Sequence, residues 1–246
     1  MALYQVILAY DGSEFSGFQR MPKARTVQGV VEIALQQLGW QERTILAAGR
    51  TDSGVHASGQ VIAFSLEWKA SLGKLQAALN ANLPQDVAVA AVWEVKANFH
   101  PRYDAKARRY HYRIFCQEWR DPLRERYAWR VWPVVDLALM QAAAQYLAGK
   151  HDFAAFGTPP RSGGSTVRTI YQAGWQTEDT ELAFDILADA FLYHMVRHLV
   201  GVQVKIGQGK LPPDFLLQRL QGGAQASVQS LAPPQGLTLV EVVYSP

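Results

Sequence analysis

Along the first hundred residues, some segments have apolar positions at strand-like spacing and others have them at helical spacing. The apolar run Leu3–Tyr10 ends at a turn cluster and predicts a strand. Apolar residues at helical spacing follow over 26–38, with Thr26 as the predicted N-cap and Gly39 as the stop signal. The same criteria predict strands over 44–48, 60–66 and 86–95 and a helix over 71–81. The predicted order is therefore β-α-β-β-α-β.

The same order begins again after the link at residues 97–105. It comprises a strand over 108–115, a helix over 136–147, strands over 167–176 and 181–188, a helix over 192–206 and a last strand over 237–244, with a short helix inserted over 213–220. We predict an α+β protein with two ferredoxin-like (RRM-like) βαββαβ halves that form a continuous antiparallel sheet. The predicted subdomains are 1–104 and 105–246, and a cleft between them is the expected place for a site.

Composition restricts the class of protein. The chain has 246 residues, of which 49% are hydrophobic and 18% are charged, as expected of a folded globular protein. Its one cysteine, Cys116, excludes a disulfide framework and fits a reducing compartment. The N-terminal residues lack the basic and apolar regions of a leader, and no apolar run is long enough for a membrane span. The expected location is the cytoplasm.

The basic surplus lies in one segment. Residues 102–130 contain nine Lys or Arg against four Asp or Glu, whereas the net charge of the whole chain is only +3. Six Tyr or Trp residues alternate with these charges. Cations displace counterions from phosphates and rings stack on bases, so the segment favours a nucleic-acid partner. A solvated strand and loop with ordinary core aromatics remains the alternative interpretation.

Reactive side chains are concentrated at residues 48–60, between two predicted strands. Asp52 lies two residues after Arg50, and the segment contains several glycines, which permit sharp bends and close approach to a ligand. A neighbouring guanidinium favours an ionised carboxylate. We therefore predict Asp52 as a poised carboxylate, with an Asx-turn in a tight loop as the alternative.

Two other catalytic classes share fragments of this sequence. Asp52-Ser53-Gly54 is the tripeptide of aspartic proteases, but these enzymes need two such carboxylates and the chain has one copy. His194 and His198 stand at helical i, i+4 spacing, which could bind zinc in a metal hydrolase, but the Glu that normally follows the first His is absent. A metal site is therefore not expected.

Residues 49–56, Gly-Arg-Thr-Asp-Ser-Gly-Val-His, closely resemble the active-site motif of the tRNA pseudouridine synthase A family. Other segments resemble that family in the same order along the chain: Tyr10-Asp11-Gly12, Gly17-Phe18-Gln19, Thr26-Val27-Gln28, 80–84, 99–102, 107–112, 191–201 and Gly236-Leu237. Departures from the family pattern are local, at Arg20-Met21 and in the Pro/Gly/Ser-rich segment 157–166. They affect expectations about RNA docking rather than chemistry.

The resemblance implies a fold, a reaction and roles for individual residues. It implies two ferredoxin-like halves around a central RNA-binding cleft, no cofactor, no metal and a homodimer. The expected substrates are uridines at positions 38–40, in the anticodon stem-loop of tRNA. Asp52 corresponds to the catalytic aspartate, Tyr110 to the tyrosine that stacks on uracil, and Arg197 to a basic residue that pairs with the aspartate. Arg50 and Leu237 correspond to other residues of the pocket.

The basic segment provides the expected contacts to the RNA backbone. We assign these contacts to Arg102, Lys106, Arg108 and Arg109, which would fix the register of the RNA while the pocket selects the nucleotide. Whether Asp52 attacks the base, attacks the sugar or assists loss of uracil stays open. The main alternative function is a non-catalytic RNA-binding protein with paired RRM-like halves, in which Asp52 would be dispensable.

Overall fold

The computed structural model describes residues 1–222 and 229–244 and divides the chain into two compact units. One unit comprises Met1–Lys106 with Thr238–Pro246, and the other comprises Ala107–Leu237. The boundary near residue 106 lies close to the predicted one. The last strand, however, belongs with the first unit, whereas the predicted division of 1–104 and 105–246 assigned it to the second.

The first unit has the predicted β-α-β-β-α-β order. Its elements are β1 (Ala2–Tyr10), α1 (Val27–Gln37), β2 (Leu46–Ala47), β3 (His56–Leu66), α2 (Leu72–Asn82) and β4 (Val87–Val95). Strand β1 is central and pairs antiparallel with both β3 and β4, and the short β2 pairs with β3. The order β4-β1-β3-β2 is that of a ferredoxin-like sheet, so the predicted α+β class is confirmed here.

Local sequence explains the two helices and the central strand of this unit. The Thr26 hydroxyl accepts a hydrogen bond from the Gly29 N–H, and Ser71 caps α2 in the same way through the Lys74 N–H. On β1, every second residue from Tyr4 to Tyr10 is buried, which gives the strand one face in the core. Thr26 is the predicted N-cap.

The second unit repeats the order with additions. Its elements are β5 (Ala107–Cys116), β6 (Trp129–Val131), α3 (Leu137–Gln145), β7 (Gly149–Asp152), β8 (Val167–Glu178), β9 (Glu181–Ala188), α4 (Met195–Gly207) and α5 (Phe215–Gln221). The antiparallel order is β5-β9-β8-β7, and β6 runs parallel to the end of β5. Among the described residues, no helix is both long and apolar enough to cross a membrane.

Aromatic packing joins the sheet of the second unit to α4. Tyr112 and Phe184 are opposite each other on β5 and β9, and Phe184 is opposite Trp175 on β8, so all three lie on one face. The Trp175 indole N–H donates to Gln203 in α4 at 2.9 Å. This buried pair satisfies two polar groups that would otherwise destabilise the core.

The final strand, β10 (Leu237–Val243), runs parallel to β3 in the first unit. Thr238 is opposite His56 and Leu239 is opposite Ala57. At Gly59 the two strands come so close that a Cβ atom would lie 2.1 Å from the Val240 carbonyl oxygen. Only glycine therefore permits this strand contact.

We expect Gly59→Ala to lower the free energy of unfolding by about 2 kcal/mol or more, because the new methyl group must displace the β10 backbone. Gly174→Ala is the matched control, since Gly174 is also in a strand but has open space where its Cβ would lie. The control should be neutral or slightly stabilising. Urea unfolding of both variants would test this, and equal stability would contradict the close contact.

Candidate active site

The backbone around Asp52 forms a tight turn directly before β3. The Val55 N–H donates to the Asp52 carbonyl oxygen at 3.2 Å, and Gly54 has a φ of 77°, in the left-handed region that favours glycine. The turn ends at His56, where β3 begins, four residues earlier than predicted. Asp52 is therefore held just before a central strand, and its side chain is half-buried.

The segment that follows β1 packs against this turn, backbone on backbone. A Cβ atom on Gly12 would lie 2.0 Å from the Val55 carbonyl oxygen, and one on Gly17 would lie 3.1 Å from the Thr51 carbonyl oxygen. The Phe18 N–H donates to that Thr51 oxygen at 3.0 Å. The two motifs, distant in sequence, thus form one structure that requires glycine at positions 12 and 17.

Two buried polar side chains of the core, from Tyr10 and Gln60, form hydrogen bonds with residues 49–55, which we call the motif loop. The hydroxyl groups of Tyr10 and Thr51 are 2.7 Å apart, and both residues are buried. The Gln60 side-chain amide donates to the Gly49 carbonyl oxygen at 3.1 Å, while its own oxygen accepts from the Val61 N–H. Residues 49 and 51 are therefore both fixed from the core.

His56 connects the motif loop to the Tyr10-Asp11-Gly12 motif. Its Nδ1 accepts a hydrogen bond from the Gly12 N–H at 2.9 Å and lies 3.3 Å from an Asp11 oxygen. A nitrogen that accepts from an amide cannot at the same time donate to a carboxylate. The shorter contact favours neutral His56 with the proton on Nε2, and the Asp11 contact then gains little from charge.

Arg50 is exposed, in contrast to Asp52. Within residues 1–222 and 229–244, its side chain forms no hydrogen bond or ion pair. The local pair predicted between Arg50 and Asp52 is therefore not formed, because the Arg50 side chain extends into solvent.

Tyr110 lies on β5 in the second unit, opposite Ile186 of β9. Its ring meets the Phe191 ring edge-on, with the centroids 5.1 Å apart, and it is half-buried. Tyr112, two residues further along the same face, is fully buried and donates to the Pro233 carbonyl oxygen at 2.7 Å. Burial raises the pKa of Tyr112 well above its ordinary value, and nearby Arg197 opposes the rise to a smaller extent.

Arg197 lies in the first turn of α4 and is anchored to a neighbouring segment. Its Nε donates to the Ala232 carbonyl oxygen at 2.7 Å, and the Ala232 N–H donates to the Arg197 carbonyl oxygen at 3.1 Å. This anchor uses Nε and not the two terminal nitrogens. Leu237, the first residue of β10, is only 5% exposed.

The two histidines of the rejected zinc hypothesis have structural contacts. His194 has a φ of 65°, precedes α4 directly and stacks on Tyr193 with the ring centroids 3.7 Å apart. The His198 Nδ1 is 3.1 Å from the Ser230 carbonyl oxygen, to which it donates as a neutral ring. Burial lowers the pKa of His198, which favours this neutral form.

Among the described residues, one group could offer a metal three ligand atoms, and the sequence did not indicate it. It comprises His111, Glu178 and Asp185 on β5, β8 and β9. The two ring nitrogens of His111 lie 3.3 Å and 3.4 Å from oxygens of Asp185 and Glu178 respectively. The hydrogen bond to Asp185 raises the pKa of His111. These contacts fit an imidazolium between two carboxylates.

The four predicted RNA-backbone contacts have different surroundings. Arg102 and Lys106 are exposed. Arg108 and Arg109 are consecutive on β5, so their side chains point to opposite faces of the sheet. Arg108 donates to the Asp189 carbonyl oxygen at 2.8 Å, on the face that carries Tyr110, and Arg109 donates to Gln172 at 3.1 Å on the other.

Part of the basic segment has structural contacts within the second unit. Arg120 and Arg130 both pair with Glu125. Arg124 lies over the Phe115 ring and pairs with Glu181. The surplus of positive charge in residues 102–130 thus overstates the charge that is available to an RNA, because these three arginines have acidic partners.

Comparisons with known proteins identify the family to which the chain belongs. The family model of tRNA pseudouridine synthase matches residues 6–104 and 143–245, which together include most of the chain. The chain therefore belongs to the tRNA pseudouridine synthase family. The matched ranges include the Asp52 turn, the glycine-rich segment after β1, and α4 with Arg197.

Relatives match over nearly their whole length. The tRNA pseudouridine synthase A of Moorella thermoacetica is 41% identical over 249 residues, covering 99% of this chain and 100% of the relative. That of Brevibacillus brevis is 39% identical over 244 residues, with the same coverage. Among solved structures, a chain of a Cbf5-Nop10-Gar1 complex aligns with 82% of this chain and 45% of that chain, at 13% identity and a TM-score of 0.39.

The buried Tyr10 gives this site a measurable dependence on alkaline pH. Burial raises the pKa of Tyr10 to about 12 from the ordinary 10.0. The folded protein holds the Tyr10 proton more tightly than the unfolded chain does. The contribution of Tyr10 to the free energy of unfolding is therefore complete below pH 10 and is lost as pH rises towards 12. The loss attributable to Tyr10 should reach roughly 3 kcal/mol. Urea unfolding at a series of pH values from 9 upwards would measure this loss. The free energy of unfolding should fall less steeply with pH in Tyr10→Phe than in the wild type, and equal slopes would contradict the prediction.

Proposed function

We propose that the protein isomerises uridine to pseudouridine in the anticodon stem-loop of tRNA, with Asp52 as the nucleophile. The observation that carries the proposal is the position of Asp52. The carboxylate is half-buried, on a turn that is bonded to the glycine-rich segment and to the core of its unit. Family membership supports the reaction, and the fixed turn supports the choice of residue.

The reaction breaks the bond between N1 and C1′ of uridine, rotates the base and joins C5 to C1′. No electrons are exchanged and no group is transferred to another molecule, so the side chains of the protein suffice and we propose no cofactor and no metal. A base in a stem must first be flipped out, at a cost of a few kcal/mol. Asp52 then attacks as a carboxylate, either at the base or at the sugar. Its bond to the nucleotide breaks again as the product forms, C5 releases its hydrogen as a proton and N1 gains a proton.

Tyr110 is proposed to stack on the flipped uracil. Its ring is half-buried and is steadied edge-on by Phe191, so one ring position is already fixed before RNA binds. Stacking of a base on an aromatic ring contributes roughly 1 to 3 kcal/mol, which offsets much of the cost of flipping.

Arg197, Arg50 and Leu237 are proposed to contact the same nucleotide. The Nε anchor of Arg197 holds its guanidinium in place, and we propose that this guanidinium stabilises the charged groups of the reaction. Arg50 is exposed beside Asp52 and is suited to contact RNA. Leu237 is buried at the start of β10 and would provide an apolar contact.

Arg102, Lys106, Arg108 and Arg109 are proposed to contact RNA phosphates, with Arg108 on the same sheet face as Tyr110. We also propose that the protein acts as a homodimer in the cytoplasm. The predicted subdomains divide these roles, since the first carries the Asp52 turn and the second carries Tyr110 and Arg197.

Asp52→Asn should abolish tritium release from tRNA labelled at uracil C5, because C5 loses its hydrogen only when the new bond to C1′ forms. Binding of tRNA should persist, since Asn preserves the size of the side chain. Asp179→Asn is the matched control: Asp179 lies in the β8–β9 turn with a φ of 51°, which Asn tolerates. Release that survives in Asp52→Asn, or wild-type protein that binds tRNA without any release, would support the RNA-binding alternative.

Arg108→Gln should weaken tRNA binding more than Arg109→Gln does, because Arg108 shares its face of β5 with Tyr110 whereas Arg109 faces the opposite side. The loss of one phosphate contact should reduce the salt dependence of log K by about one unit. Titrations of tRNA at several salt concentrations would measure both quantities. A larger loss for Arg109→Gln would place the RNA on the other face of the sheet.

A further inference from the structure

The polar side chains beneath the motif loop have no role in the chemistry proposed so far. Tyr10, Thr51 and Gln60 are at most 7% exposed, and none of them can reach solvent readily. Polar groups are retained in a core at a cost in desolvation, which hydrogen bonds only offset. Their arrangement therefore requires a physical explanation beyond packing.

The hydrogen bonds of Tyr10 and Gln60 are made to Thr51 and Gly49, the residues that directly precede Asp52 and Arg50. The Tyr10 hydroxyl meets the Thr51 hydroxyl at 2.7 Å, and Thr51 directly precedes Asp52. The Gln60 amide donates to the carbonyl oxygen of Gly49, which directly precedes Arg50. Gln60 is also near enough to Tyr10 to oppose, to a smaller extent than burial, the rise in the pKa of Tyr10. Tyr10 and Gln60 thus fix the residues before Asp52 and before Arg50.

Thr51 is held at its backbone as well as at its side chain. Its carbonyl oxygen accepts from the Phe18 N–H at 3.0 Å, and the carbonyl oxygen of Asp52 accepts from the Val55 N–H. The backbone of Asp52 therefore has a hydrogen bond on each side. The Tyr10 contact adds a bond to the side chain of Thr51 that comes from β1, within the sheet.

The pairing between β1 and β3 is irregular where Tyr10 meets the loop. Leu8 is opposite Gln60 and Tyr10 is opposite Ala57, so β3 has one residue more than β1 over this stretch. Such irregularities bend the strand that carries the extra residue and are common beside active sites. Tyr10 stays in the core, at 4% exposure, and its hydroxyl meets the loop.

We infer that Tyr10 and Thr51, supported by Gln60, are positioning residues that fix the Asp52 carboxylate for attack. This inference rests on the proposed function of Asp52. None of the three needs to touch the substrate. They reduce the freedom of the backbone that carries the nucleophile, and misplacement of a reacting group by about 1 Å can slow a reaction by about a hundredfold.

The test is single-turnover tritium release with Tyr10→Phe and Thr51→Val, each of which removes a hydroxyl and keeps the size of the side chain. The rate constant at saturating enzyme should fall by about ten- to a hundredfold, whereas the dissociation constant for tRNA stays the same. Thr51→Ser keeps the hydroxyl and should restore most of the rate. A purely structural role would not separate rate from binding in this way.

Tyr4→Phe is the matched control. Tyr4 is on the same strand and the same face as Tyr10, is 3% exposed and packs against Phe64, far along the strand from the loop. Its variant should react at the wild-type rate. Thermal unfolding of every variant identifies any that fail to fold, and the Thr51→Val and Thr51→Ser pair then tests the same hydrogen bond from the other partner.

The double variant Tyr10→Phe, Thr51→Val should be no slower than the slower single variant, because both changes remove one interaction. If the double variant instead shows the product of the two single fold-reductions in rate, the two residues have separate roles and the inference is overturned. Wild-type rates in folded Tyr10→Phe and Thr51→Val would overturn it while leaving the function of Asp52 intact. Wild-type protein without any release would overturn both proposals together.

Discussion

The close contact between two backbones, at Gly12 and Val55, is the constraint on which the rest of the site depends. No side chain fits between them, because a Cβ on Gly12 would lie 2.0 Å from the Val55 oxygen. The contact brings the segment after β1 against the turn that precedes β3, and it allows the Gly12 N–H to reach His56. A glycine far from Asp52 in sequence therefore determines where the Asp52 turn can lie.

The second unit holds part of its basic charge in ion pairs with its own acidic residues. Arginines that pair with Glu125 and Glu181 join loops to strands, and such exposed or half-exposed pairs contribute little to stability individually. Strand β5 divides its own basic residues between two faces by simple alternation. A count of positive residues thus indicates a nucleic-acid partner, whereas the side of the sheet that binds it depends on the position of each residue along the strand.

The order of elements could be predicted from sequence, because apolar residues recur at a regular spacing in strands and helices that have one buried face. The α+β class and the Thr26 cap were predicted for this reason. Strands β6 and β7 were missed, since three or four residues are too few to show alternation and Gly149–Asp152 is polar throughout. The predicted loop at 48–60 was too long, because the polar residues His56 and Gln60 are buried in β3.

The prediction of site residues from sequence depends on chemistry that is local along the chain. The motif predicts Asp52 and Arg50 as site residues, but the pair expected between them does not form, because sequence spacing says nothing about which side chain faces solvent. The contact of Tyr10 with Thr51 was missed, since a tyrosine in an apolar run resembles any other core residue. Its only signal was that a hydroxyl in such a position needs a partner.

The pairing of β10 with β3 has a consequence for biosynthesis. The strand that follows the Asp52 turn is bordered by residues 238–239, which leave the ribosome after the entire second unit. Contacts of such wide sequence separation are costly in loop-closure entropy and form late. During translation the first unit can gather its own helices and three longer strands, but the sheet beside the motif loop is completed only when the last strand arrives. A nascent chain therefore lacks the strand beside its motif loop until the whole second unit has been synthesised.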